Sequence, residues 1–411
     1  MTLGNQTALS AVAKPLDGIK VLEVAQAYSG PYAGMLLADY GAQVIKIEPP
    51  KGDLWRTMAE TPPGSRQARA RMGSAFIMMN RNKRSIVLDL AHKGAQGVFD
   101  KLVQASDVLI ENLRPGQMEK LGLGYERLSK INPRLIYASV SAYGHEGAEA
   151  GTRGFDQLAQ ARAGILAARR YPDGTPVAPS VFVADLSCAM MLAYGVTLCV
   201  LEREKSGLGQ RIDASLLGAA IAVNPSPLVR VCADPPATPR RDNALVCAYA
   251  CSDGRHVMLS APVPHYWRSI CEALGQLELG EDDDYASPTS RLDNAATLQR
   301  VLRESFARRP AAEWAAIFEA KGVPCGLVQE ANDVYEDPQV RANRMMIEQQ
   351  HTALGSVKMP GLPFQLSRTA GEIHSGAPLL GEHTREILKE LGYGKDAISE
   401  LEKSNIARSA A

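Results

Sequence analysis

The chain has 411 residues, 45% of them hydrophobic and 22% charged, and its 45 Lys plus Arg balance 45 Asp plus Glu. That length calls for two or three domains with an ordinary globular composition. The charge balance argues against a general nucleic-acid or membrane partner, while a local basic cluster would suffice for a small anionic ligand.

The opening "MTLGNQTALSAVAKPLDG" has no basic start and no sustained apolar core, so no secretory leader is expected. "GIKVLEVAQAYSGPYAGMLLADYGAQVIKIEPP" then reads strand, turn, helix, strand. Ile19 to Val24 is one strand and Val44 to Ile47 the next, with Pro31 starting a helix and Gly41 ending it. Residues 52–74 show no period and read as a loop, whose Arg56, Arg66, Arg69 and Arg71 could meet phosphate but read first as a solvated face. "RSIVLDL", a helix near Ala95 to Gln104, "DVLIEN", "RLIYASVSAYG" and "PSVFVADL" continue the alternation. Strands alternating with helices imply an α/β domain with a parallel sheet covered on both faces, Rossmann-like in outline.

The stretch Leu186 to Leu201 is sixteen residues without a charge, short of a membrane span and read as a buried helix. After residue 220 the pattern changes. "NPSPLVRVCADPPATPRRDN" is a Pro-rich connection, and "ALVCAYACSDGRHVMLSAP" a hairpin turning at Asp253-Gly254. Helices near Tyr266 to Leu274, Ala295 to Phe306 and Ala311 to Lys321, with a strand at "GVPCGLV", make a smaller α+β domain. "GEHTREILKELGYGKDAISELEKSNI" closes the chain as two short helices. The expected organisation is a large domain over 1–223 completed by 373–411, a linker at 224–239, a small domain at 240–350 and a return linker at 351–372.

The seven cysteines are odd in number and contain no CxxC, which reads as reduced thiols in a cytoplasmic protein. The turn after the first strand, "AQAYSGPYAG", lacks G-x-G-x-x-G, so NAD is set aside; a Walker A motif and clustered metal-ligand spacing are absent too. His145 in "GHEG" reads as a solvated loop histidine. Asp185 remains, a lone acid where strand character stops and helix character starts. It could be a helix N-cap, worth about 1 kcal/mol. It could equally be a nucleophilic carboxylate at a sheet's carboxyl end, beside helix N–H groups and small residues that leave a substrate room.

"PLDGIKVLEVAQAYSGPYAGMLLADYGAQVIKIEPPKGD", "MNRNKRSIVLDL", "SDVLIENLRPGQMEKLGLGYERLSKINPRLIYASVSAYG", "FDQLAQARAGI", "VADLSCAMM", "LEREKSGLGQRIDASL" and "GEHTREILKELGY" follow one another in this order. Together they resemble the class III CoA-transferases, whose superfamily also holds α-methylacyl-CoA racemase. The resemblance implies that Asp185 is the nucleophile of a ping-pong exchange between a donor acyl-CoA and an acceptor acid, with no metal and no tightly bound cofactor. It places Tyr28 and Ser29 at the thioester end of CoA. Leu88, Asn112, Leu113, Arg114, Lys120, Arg153, Phe155 and Asp156 become further CoA contacts. It also implies an interlocked, ring-like dimer, either a homodimer or a heterodimer with a paralogue.

Two departures bear on the reaction. The racemases carry a histidine in a "GHD" segment thirty residues before the acid, where this chain has Phe155 in "GFD"; two-base chemistry would lack a base. The glycine-rich lid of formyl-CoA transferase has no counterpart in "PRRDNALVCAYACSDG", which implies a different lid and acceptor. Arg240 and Arg241 read as solvated linker, with an acidic acceptor as their other use. The expected activity is acyl-CoA:carboxylate CoA transfer, with succinyl-CoA or a similar ester as the donor that the resemblance implies. The alternatives are an acyl-CoA racemase or isomerase, and a non-catalytic CoA-binding subunit of a hetero-oligomer.

Overall fold

The computed structural model describes residues 13–58, 61–171, 173–232 and 242–410. Of the Pro-rich connection at 224–239, residues 233–239 lie outside the described residues, as do Arg240, Arg241 and the first twelve residues of the expected leaderless start. The chain divides into two units. One runs to Val229 and resumes at Arg344; the other is Arg230–Asn343.

The first unit is built on a seven-stranded sheet. Its strands are β1 (Lys20–Val24), β2 (Gln43–Glu48), β3 (Lys83–Leu88), β4 (Val108–Glu111), β5 (Ile136–Ser141) and β6 (Arg211–Ser215). They pair in parallel in the order 3-2-1-4-5-6. Successive side chains feed opposite cores, which is why these strands read as near-continuous apolar runs. Val21, Val108, Ile110 and Ala138 face one core with the helices Ser29–Asp39 and Val183–Ser206. Leu22, Leu109 and Tyr137 face the other, with the helices Gln96–Gln104 and Thr384–Glu390. The winding reverses between β1 and β4, and such a reversal is where open α/β sheets take ligands.

In the second unit, β7 (Val246–Ala250), β8 (His256–Ser260) and β9 (Cys325–Leu327) form an antiparallel sheet. Its core stacks Phe306 between Tyr249 at 4.7 Å and Phe318 at 5.6 Å.

Four expectations are corrected. "PSVFVADL" is not a strand: the helix starts at Val183, and Val181 is exposed. Pro176 and Pro179 remove two backbone donors just upstream, and the place beside β5 is taken by β6. That edge strand is polar and half exposed, so it carries no apolar run. Residues 351–372 are not an unbroken extended linker, because β10 (Met346–His351) pairs antiparallel with β11 (Gly355–Pro360) within the first unit. The 52–74 loop holds a one-turn 3-10 helix, Leu54–Arg56, and its Arg56 is buried rather than solvated, bonded to both Glu48 oxygens at 2.7 Å. His145 is half buried and hydrogen-bonded rather than a solvated loop histidine. A short strand, β12 (Ala407–Arg408), pairs antiparallel with β3 at the sheet's edge.

The 24-residue helix Val183–Ser206 is long and apolar enough to cross a membrane. Its Ala184, Cys188, Leu192, Val196 and Cys199 lie in the core instead. All seven cysteines are free thiols.

Candidate active site

Three chain segments meet around Asp185. Ser29 opens the helix that follows β1, Asp156 opens the helix Asp156–Arg162, and Asp185 lies in the first turn of the long helix. The Asp185 carboxylate accepts hydrogen bonds from the Ser29 hydroxyl and the Ser29 backbone N–H. Its own backbone N–H donates to Asp156 Oδ2 at 2.8 Å. Asp185 is therefore not the N-cap of its helix. Phe182 holds that position without a side-chain bond, and the buried Asp156 supplies the acceptor the helix start lacks. Gln160 donates to Asp156 Oδ1 and to the Val181 carbonyl at 3.0 Å, which fixes both the acid and the entry to the helix.

Burial pushes the Asp185 carboxyl up to about 7, and the charge on Asp156 adds to the rise. The two Ser29 bonds pull the other way and lose. Helix N-termini also favour an anion at such a place, so these contacts hold the carboxylate in position while burial and Asp156 keep its basicity high. Cys188, one turn on, is pushed up to about 12 by burial and by Asp185, so it remains a thiol.

An aromatic wall closes one side. Tyr28 stacks on Phe182 at 4.5 Å and meets the edge of Trp55 at 4.8 Å. The turn that bears Tyr28 is held from below. Lys46 Nζ donates to Glu23 Oε1 at 2.9 Å and to the Ala25 carbonyl at 2.7 Å, and pairs with Asp53 at 2.9 Å, all in a fully buried setting. Asp53 Oδ1 in turn accepts the N–H groups of Ala27 and Trp55. These bonds keep Ala27 in the left-handed region at φ 64°, a conformation costing about 1 kcal/mol or more for a non-glycine residue. Across the β1/β4 reversal, Asn112 clamps the same turn. Its Oδ1 accepts from Gln26 N at 2.9 Å and its Nδ2 donates to Gln26 O at 2.6 Å. A Cβ on Gly30 would stand 2.4 Å from that of Ala25, so the close approach here needs glycine.

Of the residues singled out from sequence, Tyr28, Ser29, Asp156 and Asp185 come together, and Asn112 is tied to them through the turn. Leu113 donates its N–H to Glu111, and Arg114 and Lys120 are exposed beyond it. Arg153 is exposed, and Phe155 is 68% exposed although it directly precedes Asp156. Leu88 is fully buried at the end of β3, in the core against which Leu113 also packs. Sequence reading missed Trp55, Phe182 and Gln160. Phe182 stood within the quoted "VFVADL", and the strand assignment hid its role at the helix start.

The model of the family described as CoA-transferase family III matches residues 16–384. The succinyl-CoA:glutarate CoA-transferase of Mus musculus is 32% identical over 396 residues, covering 94% of this chain and 89% of the relative. The beta subunit of succinyl-CoA–L-malate CoA-transferase from Chloroflexus aurantiacus is 34% identical over 403 residues, covering 95% and 98%. Among solved structures, a CAIB/BAIF family protein from Brucella suis superposes with a TM-score of 0.82 at 31% identity, over 92% of this chain and 100% of that one.

Proposed function

The chain belongs to CoA-transferase family III, and from that membership we propose that it moves CoA from an acyl-CoA to a carboxylic acid through Asp185. The observation that carries the reading is the carboxylate itself. It takes two hydrogen bonds from Ser29, its segment is tied down by Asp156, and it titrates about 7, where basicity favours attack.

In the proposed sequence an Asp185 oxygen attacks the thioester carbonyl of the donor. The C–S bond breaks, CoA leaves as thiolate, and an acyl-aspartyl anhydride remains. The thiolate attacks the Asp185 carbonyl, the donor acid leaves as carboxylate, and Asp185 becomes the CoA thioester. The acceptor carboxylate then attacks that thioester and expels the thiolate. Return of the thiolate to the acceptor's carbonyl frees Asp185, with no net proton change. Ser29's hydroxyl and N–H would steady the charged oxygen as it enters and leaves. Tyr28, Phe182 and Trp55 would keep water from the anhydride.

Succinyl-CoA is the proposed donor and a di-acid the proposed acceptor, since the two relatives are named for succinyl-CoA with glutarate and with malate. Tyr28, Ser29, Asn112, Leu113, Arg114, Lys120, Arg153 and Asp156 are the proposed CoA contacts, with Leu88 behind them and Phe155 at their edge. The proposed assembly is an interlocked dimer of identical chains. A pair of paralogues is the second reading, because one relative is named as a beta subunit. Incubation with a panel of acyl-CoAs and di-acids, with mass detection of new CoA esters, tests the proposal. Formation of the acceptor's CoA ester at the donor's expense is expected, and hydrolysis alone or no conversion across the panel would overturn it.

A further inference from the structure

A second polar cluster lies across β4, β5 and β6, outside the Asp185 constellation. Strand register sets Glu111 beside Ser139 and Ser139 beside Asp213, so the three form one row across three strands. His145, from the loop after β5, folds back onto that row. Its Nε2 lies 3.1 Å from Ser139 Oγ and 3.2 Å from Asp213 Oδ1. Its Nδ1 lies 3.1 Å from Arg211 Nη2, and Arg211 Nε donates to Asp213 Oδ1 at 2.8 Å. At the inner end Ser139 Oγ bonds Glu111 Oε1, and Glu111 Oε2 accepts the Leu113 N–H at 2.8 Å.

The direction of every link follows from its first member. A guanidinium can only donate, so His145 Nδ1 is an acceptor and the neutral ring carries its proton on Nε2. That proton is donated onward, to Ser139 Oγ with Asp213 as the alternative acceptor. The Ser139 hydroxyl hydrogen is then turned to Glu111. The result is a chain of donors ending on a buried carboxylate to which no cation among the described residues is bonded directly. The charge of Arg211 reaches Glu111 through two neutral groups. What Glu111 holds in turn is the first backbone amide beyond Asn112.

We propose that Arg211, His145 and Ser139 are positioning residues, which hold Glu111 ionised on the Leu113 N–H and so fix the Asn112–Arg114 turn in the shape that receives CoA. The inference rests on the reading of that turn as a CoA contact. Glu119 and Tyr137 also face these groups electrostatically. Burial pushes the Glu111 carboxyl up to about 7, Glu119 adds to the rise, and the bonds from Ser139 and Leu113 oppose it. Acidification therefore releases the turn, and loss of the donor chain releases it at a higher pH.

The test measures the Kd of coenzyme A by calorimetry from pH 6 to 9, on the full chain and on Arg114→Ala, His145→Ala and His145→Gln. Arg114→Ala tests the premise and weakens CoA binding. His145→Ala weakens it by about tenfold at pH 7, the equivalent of one lost charge-assisted bond, and moves the acid-side rise in Kd to higher pH. His145→Gln restores binding, because the amide oxygen accepts from Arg211 while the amide N–H donates to Ser139. Weak binding by Arg114→Ala with normal binding by His145→Ala would overturn the chain alone. Equal loss in His145→Ala and His145→Gln would overturn the polarity argument and leave only a packing role. Unchanged binding by Arg114→Ala would overturn the premise and the proposal with it, a result distinct from the other two.

Discussion

Asp156 accepts the backbone N–H of Asp185 at 2.8 Å, so one buried acid ties off the helix turn that carries the other. The arrangement has an electrostatic consequence. Placed this close, Asp156 adds its charge to the burial that already raises the Asp185 carboxyl to about 7.

The first prediction follows from that coupling. Asp185 must be ionised to attack, so initial rates of CoA transfer fall as pH drops through about 7. Asp156→Asn retains an oxygen to accept the Asp185 N–H but removes the charge. Its acid limb should move to lower pH, by up to about one unit. Rates recorded from pH 5 to 9 decide it, and a limb that stays in place or moves upward would show that Asp156 does not tune the nucleophile.

Asp185→Asn separates catalysis from stability. Turnover should fall by at least about 10³-fold, since an amide cannot form the anhydride. Stability should move the other way. The folded-state pKa of Asp185 lies above its ordinary value of 3.8, so between that value and about 7 the folded chain binds more protons than the unfolded one. Unfolding free energy is thus lost as pH rises through this window. At pH 8 the uncharged variant should be more stable than the parent by about 1–3 kcal/mol. Thermal melts at pH 8 check the sign, and a clearly less stable variant would contradict it.

Lys46 anchors the turn below the site. Its ammonium is shared by Glu23, Asp53 and the Ala25 carbonyl in a fully buried pocket. Lys46→Met leaves two buried acids without that partner, at a cost of about 3–5 kcal/mol. Urea unfolding should show the loss as a lower midpoint, and a shift under about 1 kcal/mol would mean that Lys83 takes over the compensation.

How much of this was legible in sequence depended on how each residue is buried. Strands β1 to β5 are covered on both faces and read as apolar runs. β6 sits at an edge with a polar, half-exposed pattern, so "RIDAS" did not register as a strand. The apolar Val183 and Ala184 read as a strand's end because β-branched and small residues serve a buried first helical turn equally well. Arg56 looked like one of four loop arginines; its partner Glu48 lies on β2, and no local pattern links them. Asp156 came from a family resemblance, and the residues alone singled out Asp185 but left it open between an N-cap and a nucleophile. The bond that makes Asp156 the surrogate cap spans 29 residues and exists only in the fold.

The Phe155 position separates transfer from racemisation. Its ring is 68% exposed and cannot take a proton, and the racemases' histidine is absent from the segment. In heavy water with a 2-methylacyl-CoA and no acceptor acid, the α-proton should not exchange above the uncatalysed rate. Mass spectrometry of the recovered ester reads this directly, and rapid deuterium uptake would return the racemase reading to first place.

The last prediction concerns assembly. Met190, Met191, Tyr194, Leu198 and Leu201 are exposed at roughly helical spacing along the helix that carries Asp185. Five large apolar side chains on one helix form the kind of surface that a partner covers. An interlocked dimer would cover it permanently, because threaded rings separate only by unfolding. Dilution should then yield no folded monomer, and loss of dimer should coincide with loss of secondary structure. Sedimentation at nanomolar concentration is the check, and a folded, active species near the chain mass of 44.2 kDa would rule the interlocked arrangement out. Tyr194→Glu provides a second arm. A charge on an interlocked interface should lower the yield of folded protein, whereas on a free surface it should leave both yield and thermal midpoint unchanged.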